Sequence, residues 1–202
     1  LNNNDGEKAV KSMNIVLPSD KIDSKIKHRI LNEFLIFAKK NPQFEPDLDK
    51  AIGYFNDDKD VKVSKEIAKF YYLKKEWNKA EKYLKMHLKS AQDDIEAQLL
   101  LLQTLTELTQ FENVSKTADE LTQLFPNQPE FYYYAGLGNN QLGNFKKAKE
   151  FLETGVDLII DDASLEINFY VQMGEAFNGL GDMKKKETYF TKADALIKKQ
   201  KR

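Results

Sequence analysis

A chain of 202 residues with 41% hydrophobic and 31% charged side chains has enough apolar material for one ordinary core or one elongated array. Its 31 basic and 32 acidic side chains nearly cancel, which excludes a one-signed field of the kind that draws nucleic acid or an anionic membrane. The lack of cysteine excludes disulfides, thiol nucleophiles and cysteine-held metals, and no apolar run approaches the ~18 residues of a membrane span.

In chain order, residues 1–21 are polar, with Gly6, Pro18 and a short helix expected around residues 7–13. Residues 22–40 read as a helix in which Ile26, Ile30, Phe34 and Phe37 form a stripe and Asp23 or Ser24 caps the start. Asn41-Pro42 ends it. His28 lies among Lys25, Lys27 and Arg29 and reads as a surface residue. "EPDLDKAIGYF" reads as a shorter helix carrying Leu48, Ile52 and Phe55, and "NDDKD" as the loop after it. Residues 1–60 thus form an N-terminal segment holding a degenerate helix pair or an independent cap.

From residue 61 the chain repeats itself. The bulky residues Trp77, Phe111, Phe145 and Met183 each follow a turn signal, at intervals of 34, 34 and 38 residues. Nine residues before them stand Ala68, Leu102, Gly136 and Gly174; seven after them stand Leu84, Ala118, Leu152 and Phe190. The spacing within each unit is helical, as in Leu101, Leu102, Leu105 and Leu108, then Val114, Ala118, Leu121 and Leu124. Gly143-Asn144 and Gly181-Asp182 mark turns inside units, and Pro126-Asn127 and Pro129 mark turns between them. Four units are expected, over residues 61–94, 95–128, 129–166 and 167–200. The last interval is longer by about one helical turn, so an insertion in "GVDLIIDDASLEIN" lengthens a helix and keeps its faces in register.

One stretch invites another reading. In "FYYYAGLGNNQLGNF" an aromatic run leads into glycines, and Gly138 and Gly143 have the spacing of a phosphate-binding loop. The Lys-Ser/Thr that would touch phosphate and magnesium is missing, because Asn144-Phe145 follows Gly143. The alignment with the other units makes the run a helix, Gly136 a seam residue and Gly143 a turn residue.

These residues resemble tetratricopeptide repeats, 34-residue helix-turn-helix units with the pattern W-x2-L-G-x2-Y, then A-x3-F, then proline. The pattern is carried by Tyr132-Ala135-Gly136, by Tyr170-Met173-Gly174-Phe177, by Ala148-Leu152 and by Pro126. The chain departs from it at Ser64 and Gln98 in the tryptophan position, at Asn139 where an aromatic is expected, and at Lys186 where alanine packs. The resemblance implies an all-α fold, a right-handed superhelix of stacked antiparallel helix pairs, with further repeats preceding residue 1.

Catalytic chemistry is not expected. His87 matches the seam positions Leu121, Gly155 and Ala193 and reads as a packing residue, with no metal-ligand spacing around it. Asp57-Asp58, Asp93-Asp94 and Asp161-Asp162 fall at unit junctions and read as helix caps. No cofactor and no metal are expected. The basic end "IKKQKR" reads as a solvated helix terminus.

The family binds extended segments along a groove lined by the first helix of each repeat. The resemblance places in that groove Lys62, Lys65, Lys69 and Tyr72, then Glu96, Gln103 and Glu107, then Tyr133, Leu137 and Asn140, then Val171, Glu175 and Asn178. This reads as a cationic end grading into a polar, aromatic middle. The version that clamps a chaperone's acidic C-terminus is not expected, since Lys69 stands where asparagine is needed and Leu99 and Leu100 add no polar groups. Two functions stay open: a scaffold that docks a protein or peptide partner in the groove, and an assembly component that associates with itself through its ends. Neither nucleic acid nor membrane insertion is expected. The Lys, Asn and Ile usage suggests a bacterial source, with an expected place in the periplasm or at the outer membrane and the cytoplasm as the alternative.

Overall fold

A computed structural model describes residues 3–55 and 63–200. Among these the regular structure is helical, with no strand. Two compact units, Leu1–Leu101 and Leu102–Arg202, divide the chain.

The first unit opens with α1 (Asn3–Val16) and α2 (Ser24–Lys40). Asp23 begins α2 by accepting the Lys25 N–H at 2.8 Å, and the chain leaves it through Asn41 into a 3-10 turn, Pro42–Phe44. The buried stripe of α2 is His28, Leu31, Phe34, Leu35 and Ala38; of the expected stripe, Phe34 is buried, Ile30 and Phe37 are half-buried, and Ile26 is not part of it. Ile26 is 44% exposed, and His28 is buried with its ring 5.3 Å from that of Phe55. The expectation of a surface His28 is therefore corrected. Its charged neighbours dominate the local composition, but spacings of three, four and three to Leu31, Leu35 and Ala38 put it on the core face.

α3 (Glu45–Gly53) buries Leu48, Ala51 and Ile52, and Phe55 beyond it is also buried. The loop expected at residues 56–60 lies outside the described residues. α4 (Ser64–Leu73) and α5 (Trp77–Leu88) follow as a pair, with the Tyr71 and Tyr83 rings stacked 5.8 Å apart. Lys74, at the end of α4, reaches Glu45 at 3.5 Å and Asp49 at 3.4 Å, which ties α3 to this pair. α6 (Ile95–Glu107) contains the division between the units.

In the second unit α7 (Phe111–Leu124), α8 (Pro129–Gln141), α9 (Phe145–Val156), α10 (Ala163–Gly179) and α11 (Met183–Gln200) succeed one another. Its core centres on Leu152, Phe169 and Met173, with Tyr132 and Tyr133 packed against it. A buried side chain of this size stabilises by about 2–3 kcal/mol over its exposed state. "FYYYA" is helical, and Gly136 is buried against Leu152, so no phosphate loop exists there. The four additional residues lengthen α10, which starts at Ala163; the boundary drawn at 166/167 falls inside it.

The turn inside each helix pair has one geometry. Lys75, Thr109, Gly143 and Gly181 all adopt left-handed backbone, with φ of 59°, 54°, 76° and 78°. In each, that residue's N–H bonds the carbonyl three residues back: Tyr72, Thr106, Asn140 and Asn178, at 2.9–3.1 Å. The next N–H bonds the carbonyl five residues back: Tyr71, Leu105, Asn139 and Phe177, at 2.8–2.9 Å. This is the Schellman closure, which satisfies carbonyls that a helix end would otherwise leave bare.

The departure from the repeat pattern at Asn139 has a physical reason. Gly138 brings α8 so close to α7 that an added Cβ would lie 2.8 Å from the Ser115 nitrogen. At this approach Asn139 replaces an aromatic ring and donates to Ser115 Oγ at 2.9 Å and to the Ala135 carbonyl at 2.8 Å. A polar group is thereby buried with its donor satisfied.

Candidate protein-binding surface

Counting back from the left-handed turn residue aligns the first helices α4, α6, α8 and α10. Six residues before it stand Lys69, Gln103, Leu137 and Glu175; ten before it stand Lys65, Leu99, Tyr133 and Val171. These are the positions from which the groove is expected, and the two units treat them differently.

In the first unit, Lys62 lies outside the described residues. Lys65 is only 19% exposed and donates to both oxygens of Asp94 at 2.9 Å, with Glu96 at 2.6 Å. Lys69 meets Glu96 at 2.6 Å and Glu66 at 3.5 Å. Asp94 also pairs with His87 Nε2 at 2.8 Å and accepts the Ala97 N–H at 3.1 Å, starting α6. Partial burial would raise the Asp94 pKa, but hydrogen bonds from Lys65, His87 and Ala97 outweigh it and hold the carboxyl at about 2. Burial likewise opposes the charge of Lys65, while Asp94 and Glu96 raise its pKa on balance. The cationic end read from the sequence is therefore an ion-pair network among the described residues: Lys65 and Lys69 face the carboxylates of Asp94, Glu96 and Glu66. His87 is half-buried as expected, and it holds a carboxylate as well as packing. Tyr72 is half-buried with its ring 4.9 Å from that of Trp77.

In the second unit, Gln103 is half-buried and Glu107 exposed. Tyr133 is half-buried, its ring 5.7 Å from that of Phe169, and burial raises its phenol pKa. Asn140 is buried and bridges helices, donating to the Gln172 carbonyl at 2.9 Å and to Gln172 Oε1 at 3.0 Å. Its own Oδ1 is buried with no hydrogen-bond partner. Leu137 and Val171 are half-buried, and Glu175 and Asn178 are exposed on α10. Structure thus gathers Tyr133, Leu137, Asn140, Val171, Glu175 and Asn178 on the neighbouring helices α8 and α10. Half-buried apolar side chains beside exposed polar ones suit contact with another polypeptide.

Asp94 is the residue that composition alone does not reveal. The sequence signals its capping role, three residues before Ala97, but not its hold on Lys65 across 29 residues. Asp162 caps α10 by accepting the Leu165 N–H at 2.9 Å. The expected Asp57-Asp58 cap lies outside the described residues. Among the described residues no group of three or more metal-ligating side chains comes together, and no helix is long and apolar enough to cross a membrane.

Neither the protein-family models nor the curated proteins give a match to this sequence. Solved structures do. The chain is similar to "Crystal structure of MamA protein", with a TM-score of 0.70 and 20% identity over 86% of this chain and 93% of that one. It is similar to MamA 41-end from Desulfovibrio magneticus RS-1, with a TM-score of 0.68 and 18% identity over 86% and 97% of the two chains. A third, "MamA MSR-1 C2", gives a TM-score of 0.65 and 15% identity over 87% and 99%. These neighbours are tetratricopeptide-repeat structures, and at such identity the likeness speaks for the fold: an all-α solenoid of the tetratricopeptide type.

Proposed function

We propose that this chain is a non-catalytic protein-interaction module whose first-helix face binds a segment of a partner protein. The observation that carries the reading is the face of α8 and α10, where Tyr133, Leu137 and Val171 are half-buried beside exposed Glu175 and Asn178. A helix pair buries its seam completely where it can, as Ala135, Ala148 and Leu152 do here. Apolar groups left at the surface beside polar ones are available to a partner that removes them from water.

Self-association is the second reading, favoured by α11. Ala193 is the one residue it buries; Met183, its first residue, is 54% exposed, and Leu180, which caps the end of α10, is 45% exposed. Its site would be the end of the second unit, not the first-helix face.

The test is selection from a displayed library of random peptides on the full chain. Selected peptides are then titrated against a variant carrying Leu137→Arg and Val171→Arg, with circular dichroism confirming that it stays helical. The expected result is peptides that bind the parent and lose at least about tenfold in affinity for the variant, as loss of a central apolar contact does. Peptides that bind both proteins alike would place the interaction elsewhere.

A further inference from the structure

The second unit separates its charges by helix. Residues 102–107 of α6, together with α8 and α10, carry Glu107, Glu130, Glu166 and Glu175 and no lysine, arginine or histidine. Every lysine between residues 102 and 200 lies on α7, α9 or α11. On those second helices, acids and lysines share the same helix or its neighbour: Asp119 pairs with Lys147 at 2.9 Å, and Glu153 with Lys149 at 3.6 Å. In the first unit the first-helix acid Glu96 is compensated too, by Lys65 and Lys69.

The first-helix acids of the second unit have no basic side chain on their own helices. Glu130 receives a neutral donor from Gln128 and Glu166 one from the Tyr170 hydroxyl. Glu107 and Glu175 are exposed and make no ion pair among the described residues. The one buried acceptor of this face without a donor, Asn140 Oδ1, has the same preference: it lacks a hydrogen, not a lone pair. On the same helix, the Tyr133 ring carries no lysine among the described residues, whereas Lys185 and Lys192 cover Phe177 and Tyr170 at 4.7 Å and 5.1 Å. An acceptor-rich face with a half-buried aromatic ring that no lysine covers is complementary to a cation on an apolar stem.

We propose that the first-helix face of residues 102–202 selects a partner-protein segment in which arginine or lysine alternates with apolar residues. The apolar side chains lie against Leu137 and Val171, and the cations meet Glu107, Glu175 and the Tyr133 ring. The inference rests on the face reading above and adds to it the chemical class of the partner.

The probes are three short fluorescein-labelled peptides with the same leucines, alternating with arginine, glutamine or glutamate. Binding to the full chain is followed by anisotropy at about 50 mM and about 500 mM salt, where screening lengths differ severalfold. The expected order is arginine over glutamine over glutamate. Glu107→Gln with Glu175→Gln should weaken the arginine peptide by about tenfold at low salt and little at high salt. Equal binding of the arginine and glutamine peptides, both lost in Leu137→Arg with Val171→Arg, overturns the cation preference and leaves the face reading intact. Binding that neither variant disturbs overturns both. Sedimentation of the protein alone supplies the last arm. Growth in size with concentration that the glutamine variant abolishes would make the occupant the basic α11 of a second copy, and would overturn a separate partner.

Discussion

Asp94 offers the sharpest quantitative test of the first unit. Its carboxyl is held at about 2 against an ordinary value of 3.8, because Lys65, His87 and the Ala97 N–H outweigh the cost of partial burial. Each unit of displacement is worth about 1.4 kcal/mol, so the ionised carboxylate contributes about 2 kcal/mol to folding. The side chain is 21% exposed, which leaves most of that figure unscreened. The sign follows from the direction. A depressed folded pKa means that the native state binds fewer protons than the unfolded chain. The contribution is complete above about pH 4 and is lost as pH falls through about 2.

Asp94→Asn keeps an oxygen for the Ala97 N–H and removes one of the two carboxylate charges that hold Lys65. Urea unfolding can be followed through the fluorescence of Trp77, the chain's single tryptophan, which lies in the same unit. Near pH 7 the variant should unfold about 2 kcal/mol more easily than the parent. Near pH 2 the two curves should draw together, because the parent is by then losing the same charge. Other carboxylates titrate over this range in both proteins and cancel in the comparison. A gap that persists undiminished at pH 2, or no gap at pH 7, would refute the reasoning.

Two further changes probe the scaffold. Thr109, β-branched at φ 54°, sits in a left-handed position that disfavours L side chains by roughly 1–2 kcal/mol, so Thr109→Gly should stabilise by about 0.5–1 kcal/mol after the entropy of glycine is subtracted. Gly143→Ala, whose added Cβ meets nothing within 4 Å, should destabilise through backbone strain alone, by about 1 kcal/mol in the same urea assay. Gly138→Ala is the steric counterpart: its Cβ would press on the Ser115 backbone at 2.8 Å, and overpacking of about 1–3 kcal/mol should exceed the gain of up to about 1 kcal/mol in helix propensity. Thermal unfolding of Gly138→Ala beside Gly143→Ala separates the two causes, since only the first should also perturb the Asn139–Ser115 contact seen by amide chemical shifts.

The helices were legible because a 3.6-residue period repeated at 34-residue intervals leaves little freedom. Trp77, Phe111, Phe145 and Met183 each begin a helix as expected. His28 was misread because three basic neighbours outweighed a stripe that spacing alone would have set. The left-handed turns at Lys75 and Thr109 carry no glycine, so local chemistry is silent there; only alignment with Gly143 and Gly181 exposes them. The lysines were hardest. Lys65 finds Glu96 31 residues on, and Lys69 finds it 27 on, which are diagonals of a 34-residue stack and not its columns. Aligning equivalent positions compares residues that occupy the same place, and an ion pair joins residues that occupy adjacent ones.

The Schellman turns make every closing bond between main-chain atoms. A unit can therefore exchange almost any side chain near its turn and still fold back on itself, as lysine, threonine and glycine at one position demonstrate. The column six residues upstream, Lys69, Gln103, Leu137 and Glu175, has used that latitude fully: a cation, an amide, an alkyl group and an anion share one scaffold coordinate. Across the four repeats of this chain the hinge is constant, and the surface that the hinge presents differs from one repeat to the next.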